Sequence, residues 1–176
     1  ADLWRSSVHV RARVADVGSA VELADDDGPV LVHALPYLDP DAVRHALADG
    51  DPTVAPGEAL PRSHEAVTAA AMRRVRAALA RRSAGGASRP RSVVMAHAFV
   101  VGGQASESER DIRVGGVDSV PAGVFAGVDY VALGHLHGPQ RLAFPSASRG
   151  DGDDGGAPRP WPAEDGAASV EPVLQY

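Results

Sequence analysis

Residues 128–140 have the sequence VDYVALGHLHGPQ. The apolar run at its start is typical of a buried strand, which ends at a glycine just before His135 and His137. A second apolar run, residues 93–96, ends in the same way at His97. In layered α/β proteins, ligands bind beyond the carboxyl ends of the strands. The sequence therefore predicts three imidazoles gathered at one edge of a sheet.

Imidazoles in this arrangement are suited to binding metal ions. A neutral imidazole nitrogen is a good ligand for manganese, iron or zinc. Because Gly134 adds no side-chain bulk, the rings of His135 and His137 can approach a shared centre, where two ions would lie about 3.5–4 Å apart. Three histidines alone cannot complete two coordination shells, which also need a carboxylate or an asparagine. A polar turn with solvent-facing rings is the alternative interpretation of a lone His-X-His.

Strand and helix patterns alternate along the rest of the chain, which predicts an α/β layered fold. The predicted strands are Val8–Val14, Val30–His33, Arg91–Ala96 and Val128–Leu133. The predicted helices are one between Asp39-Pro40 and Gly50, one over His64–Arg82, and a short one around Pro121–Phe125. Asp39 and Ser63 can cap the first two helices, since their side-chain oxygens accept hydrogen bonds from first-turn amides.

Composition sets broad limits on the protein. Its 176 residues suffice for one domain or for a large part of a bigger one. The formal charge of −6 counts only weakly against a nucleic-acid binder, because nucleases hold their substrate through local basic patches and metal ions. The lack of cysteine excludes disulfides, thiolate zinc sites and cysteine nucleophiles. With no long apolar run and no signal-peptide pattern, we expect a cytoplasmic protein without membrane contact.

Several stretches taken together resemble the SbcD family, the nuclease subunits of bacterial SbcCD exonucleases, which are calcineurin-like metallophosphoesterases. The stretches are residues 94–100, 106–110, 128–140 and the segment LPYL at 35–38. Their order and spacing are more specific than any single motif, and the resemblance covers about residues 1–143 and 173–176. It implies an α/β fold of the layered metallophosphoesterase (calcineurin-like) sandwich type.

The resemblance also implies a two-metal site. His97 and His135 would ligate one divalent ion and His137 the other, and the family normally uses two manganese ions. Such ions hold a scissile phosphate and activate a water for in-line attack. Arg110, in the polar loop 104–110, would lie beside the metal ions, where it can pair with a phosphate or with a neighbouring glutamate.

The implied function is that of a subunit of a DNA double-strand exonuclease and endonuclease, acting in DNA repair and recombination. DNA and an SbcC-type ATPase subunit would be its partners, within a hetero-oligomer that contains a dimer of this subunit. Two alternatives stay open. One is a metallophosphoesterase acting on small phosphoesters or nucleotides, and the other is a non-catalytic interaction domain of the same fold.

The chain departs from the family pattern in the ligands that it lacks. The family's Asp-X-His, bridging Asp and Asn-His motifs do not occur in residues 1–92. We therefore expect a fold that is incomplete at both ends, an inactive isolated chain and no catalytic residue within it. Residues 1–143 would be the central and C-terminal part of the metallophosphoesterase domain, 144–170 a disordered loop, and 171–176 the start of a closing strand.

Other polar residues are expected to have structural roles. His33 is predicted to be packed or partly exposed, whereas His9, His45 and His64 are predicted to be surface residues. The acidic run at residues 25–27 is typical of a solvated hairpin turn. The arginines of the long helix are predicted to form a solvated helix end, with contact to phosphate as the alternative; they are Arg73, Arg74, Arg76, Arg81 and Arg82.

Overall fold

A mixed sheet with two α-helices makes up the part of the chain that the computed structural model describes, namely residues 8–84, 89–101, 119–135, 141–143 and 173–175. The strands are β1 Val21–Asp25, β2 Gly28–Ala34, β3 Arg91–His97, β4 Phe99–Val101, β5 Ser119–Pro121, β6 Tyr130–Gly134, β7 Arg141–Ala143 and β8 Val173–Gln175. The α-helices are α1 Pro40–Ala48 and α2 His64–Ser83, and two short 3-10 helices are Val14–Asp16 and Ala122–Phe125. The predicted α/β class is confirmed.

Six of these strands form the main sheet, in the order β1-β2-β3-β6-β8-β7. Strands β2, β3, β6 and β8 are parallel, and β1 and β7 pair antiparallel at the two edges. Strands β4 and β5 form a separate parallel pair. In the register between β3 and β6, His97 lies opposite Gly134. The carboxyl ends of these two central strands therefore lie side by side.

The predicted caps and the predicted hairpin turn are confirmed. Asp39 accepts a hydrogen bond from the backbone N–H of Asp41, and Ser63 accepts one from Ala66 at the start of α2. Residues 26–27 connect β1 to β2, and the Asp25 carboxylate accepts a hydrogen bond from the Asp27 N–H at 2.9 Å. Side chains of this kind stabilise turns and helix starts because they satisfy amides that have no backbone partner.

The core lies on one face of the main sheet. Alternate residues of β2, β3 and β6 are buried there and form one apolar cluster with the buried residues of both helices. Residues on the opposite face are partly or largely exposed, including Met95 at 49% and Leu23 at 52%. Neither α-helix covers this second face, because the buried positions of both belong to the first.

The predicted strand Val8–Val14 is wrong. Residues 8–12 have no strand partner within the described residues, and Val8 and Val10 are 61% and 71% exposed. Alternation of apolar residues favours a strand only where one face is buried against a core. The strand that pairs with β2 is instead β1, at residues 21–25, which the sequence analysis did not predict.

The prediction of a solvated arginine cluster is wrong for three of its members. Arg73 forms an ion pair with Asp51. Arg74 donates to the carbonyls of Ala46 and Asp49 at the end of α1, while Arg76 donates to two carbonyls that flank residue 125. The guanidinium groups of Arg74 and Arg76 satisfy carbonyls that the ends of short helices leave without partners. All three arginines hold α2 against its neighbours.

Three further sequence predictions concern a closing strand, a long loop and membrane contact. Strand β8, between β6 and β7, falls within the segment 171–176 where a closing strand was predicted. The predicted loop at 144–170 lies outside the described residues. Within the described part of the chain, neither helix combines the length and the apolar character that crossing a membrane requires.

Candidate metal centre

Two of the three candidate ligands lie at the carboxyl edge of the central strands. His97 is the last residue of β3, and His135 directly follows β6. Their ring centroids are 5.3 Å apart and their planes meet at 85°. Two imidazoles that ligate one ion at about 2.1 Å have centroids roughly 4.6–5.3 Å apart, for ligand angles between octahedral and tetrahedral. The spacing of this pair fits one shared metal ion.

Gly134 makes this approach possible. A Cβ atom at this position would lie 2.9 Å from Nδ1 of His97, closer than real Cβ contacts allow. The register between β3 and β6 brings the two residues opposite each other, so the imidazole of His97 lies over the space that any other side chain would fill. The glycine in the Gly-His-Leu-His motif is therefore required by the position of the histidine on the neighbouring strand.

Replacing Gly134 with alanine is expected to displace the ring of His97 and to weaken metal binding at least ten-fold. The imidazole can rotate away from the new methyl group, so the free energy of unfolding should fall by only about 1–3 kcal/mol, the usual effect of overpacking. Isothermal titration with Mn²⁺ and urea denaturation would measure the two effects. Gly123→Ala is a matched control, because a Cβ there meets no atom within 4 Å.

The backbone of His135 has a conformation that side-chain-bearing residues rarely adopt. Its φ is +113°, well inside the positive range that favours glycine. Such a conformation costs about 1–3 kcal/mol and persists only where the surroundings enforce it. Strained residues of this kind concentrate at functional sites. The positive φ of His135 is therefore one reason to regard it as a candidate functional residue.

Three aromatic side chains that the sequence analysis did not assign to the site surround the two histidines. The ring centroid of Tyr37 is 6.1 Å from that of His97 and 5.7 Å from that of His64, and Phe99 is 5.8 Å from His135. His64, predicted as a surface residue, is partly buried and lines a small cleft with His97. Its place at the start of α2 brings it there.

The other candidate residues have no described position. His137 and Arg110 lie outside the described residues, so their proposed roles stay predictions. Among the residues that the structure places, no group of three or more histidine, aspartate or glutamate side chains could hold a metal ion. His97 and His135 would together supply two ligands of one shell, and imidazole donors are suited to manganese, iron or zinc.

The other described histidines are His9, His33 and His45. His9 and His45 are exposed, as predicted. His33 is only 1% exposed and lies on the core face of β2, so it is fully packed. A comparison with models of known protein families finds no match to this chain.

Proposed function

We propose that this chain is part of a metal-dependent phosphodiesterase of the SbcD family and that the full-length protein hydrolyses DNA. The observation that carries the proposal is the His97–His135 pair, whose rings lie 5.3 Å apart at the carboxyl edge of two adjacent parallel strands. The strained backbone of His135 and the required glycine before it support a built site. The motifs at residues 35–38, 94–100 and 128–140 carry the resemblance to the family.

Within the described residues, one face of the main sheet is covered by neither α-helix, which supports the sandwich architecture of that family. All-parallel sheets are found almost only where both faces are covered, and the four central strands of this sheet are parallel. In this chain the helices cover one face, while Met95 and Leu23 on the other are about half exposed. A second layer packed on that face would complete a sandwich and would supply the family's Asp-X-His, bridging Asp and Asn-His ligands, which residues 1–92 lack.

The proposed site would work through its electrostatics. His97 and His135 would hold one divalent ion, and His137 would contribute to a second. Two such ions, when bound, polarise a phosphodiester and lower the pKa of a coordinated water. The imidazoles stay neutral as ligands, so the positive charge of the ions is retained for the phosphate. DNA and an SbcC-type ATPase subunit would be the partners of the full-length protein.

His135→Ala in the full-length protein tests the proposal. Loss of an outer-shell partner of a metal ligand typically costs ~10–100-fold in metal affinity or activity. Because His135 would be a direct ligand, we expect manganese-dependent hydrolysis of linear double-stranded DNA to fall by more than this. His97→Ala should behave alike. His45→Ala is the matched control, since His45 is exposed on α1 far along the chain from the site.

Bound manganese, measured by mass spectrometry, separates the possible outcomes. Loss of both metal and DNA hydrolysis in the His135 variant, with the His45 variant unchanged, supports the proposal. Wild-type metal content and activity in the His135 variant would overturn it. A wild-type protein that binds manganese and cleaves p-nitrophenyl phosphate but not DNA would instead assign the site to small phosphoesters.

A further inference from the structure

Tyr37 is a large aromatic residue that the fold leaves open to solvent beside the candidate metal centre. It lies in the segment between β2 and α1, at the carboxyl edge of the sheet where β3 and β6 also end. The residue is 60% exposed although its ring is 6.1 Å from that of His97. Burying an aromatic ring is among the larger apolar gains that folding offers, so its exposure here calls for an explanation.

The position of Tyr37 is fixed by its neighbours. Leu35 and Leu38, on either side, are buried at 8% and 5% exposure and belong to the core cluster. Pro36 restricts the backbone between them, and Asp39 immediately caps α1. Anchored on both sides within three residues, the tyrosine is held out of the core by a rigid segment. A ring held in this way loses little conformational entropy when a ligand stacks on it.

The other contacts of the ring leave part of it available. His97 meets it at an interplanar angle of 73° and His64 at 47°, so neither is stacked parallel on the phenol ring. Both contacts are with histidines that border the cleft beside the metal centre. A phosphate held at His97 would place the atoms attached to it within reach of the tyrosine.

We propose that Tyr37 is a specificity-determining residue that stacks on a nucleobase next to the scissile phosphate. This inference rests on the proposed function, because it assumes that the substrate at the metal centre is a nucleic acid. Base–aromatic stacking is a common means of holding single-stranded nucleic acid and tolerates any sequence, since every base has a π-face. A short phosphoester without a base would gain nothing from this residue.

The inference is tested by comparing the hydrolysis of two oligonucleotides that share the same sugar–phosphate backbone, using the full-length protein with manganese. One is a single-stranded oligonucleotide, and the other carries abasic sites at the terminal positions. Tyr37→Ala is expected to lower kcat/KM for the first by roughly ten-fold or more and to lower it much less for the abasic substrate. Tyr37→Phe should keep the wild-type preference, because its ring stacks equally well.

Val10→Ala is the control for removing an exposed apolar side chain, since Val10 is 71% exposed and belongs to no strand of the sheet. Equal losses on both substrates in the Tyr37→Ala variant, or no loss on either, would overturn the inference while leaving the nuclease proposal intact. A wild-type protein that cleaves neither these two substrates nor linear double-stranded DNA would count against the proposed function itself. Thermal unfolding of each variant separates a folding defect from a loss of stacking.

Discussion

Replacing Arg73 with methionine is expected to lower the free energy of unfolding by about 3–5 kcal/mol, the usual cost of removing one partner from a buried ion pair. The side chain of Asp51 is only 2% exposed, and the guanidinium of Arg73 donates to its Oδ2 atom through Nη2 at 2.7 Å and Nε at 2.9 Å. Urea denaturation at pH 7, followed by circular dichroism, would measure the loss.

The physical reason is the charge that would remain on Asp51. Burial acts to raise the pKa of this carboxyl, but hydrogen bonds from Arg73 and Thr53 outweigh it and hold the pKa below its usual value. Thr53 donates both its backbone N–H at 2.9 Å and its hydroxyl at 2.6 Å to Oδ1. Without the guanidinium, the carboxylate must be buried without a counter-charge or take up a proton.

Arg82→Met provides a control on the same helix. Arg82 pairs with Glu22 at 2.5 Å, but both side chains are 53% exposed, so water already screens the interaction. Exposed pairs of this kind contribute about 0–1 kcal/mol. If the Arg73 and Arg82 variants lost the same small amount, burial of Asp51 would not govern the stability of this region.

Local signals allowed most of the helical part of the fold to be predicted from the sequence. Both α-helices begin within one residue of the predicted caps, because a capping side chain and the first-turn amides are only two or three residues apart. Strands β2, β3 and β6 were predicted from apolar runs that are buried on the core face. Helix caps and apolar runs involve residues that are close together in the sequence, so they can be recognised without knowing the fold.

Features that depend on contacts between distant segments could not be predicted in this way. Residues 8–14 alternate as a strand would, yet no strand pairs with residues 8–12. Conversely, β1 contains two acidic residues and is largely exposed at the edge of the sheet. Its sequence therefore lacks the apolar pattern that is typical of a buried strand. The guanidinium groups of Arg74 and Arg76 donate to carbonyls that lie more than 20 residues away in sequence.

In the candidate site, too, local features were predicted from the sequence, whereas contacts between distant segments were not. The positions of His97 and His135 after two apolar runs predicted that they would meet at one edge, and their rings are 5.3 Å apart. The positive φ of His135 and the close approach of Gly134 to His97 depend on strand register, which the sequence does not specify. Tyr37 and His64 come from two further segments, so only the fold brings them to this edge.

His33 is a buried polar residue that works against the stability of the fold. It is 1% exposed on the core face of β2, and neither ring nitrogen has a hydrogen-bond partner among the residues that the structure describes. The charged side chains of the adjoining groove, Glu22, Arg81 and Arg82, make no hydrogen bond to it. Leaving a buried polar group without a partner costs about 1–3 kcal/mol. His33→Leu, which nearly conserves volume, is therefore expected to raise the free energy of unfolding by a similar amount at pH 7.

The same residue should make the protein less stable in acid. Burial lowers the pKa of His33 below the usual value of 6.5, so the folded protein holds the ring neutral where the unfolded chain binds a proton. Above about pH 6.5, His33 therefore causes no pH-dependent loss of stability. Below it, the free energy of unfolding falls as the pH drops towards the lower pKa of the folded state. Urea denaturation of wild type and His33→Leu between pH 7 and 5 would measure this, and the advantage of the variant should grow with acidity.

A histidine on the protein surface separates this effect from the general consequences of removing an imidazole. His45 is exposed on α1, so His45→Leu should change the free energy of unfolding by no more than about 0.5 kcal/mol at either pH. The effect expected at His33 requires its ring to be neutral in the folded state. If His33→Leu followed the same pH dependence as the wild type, the ring would have to be accessible to protons in the folded protein, and another group would be responsible for any loss of stability in acid.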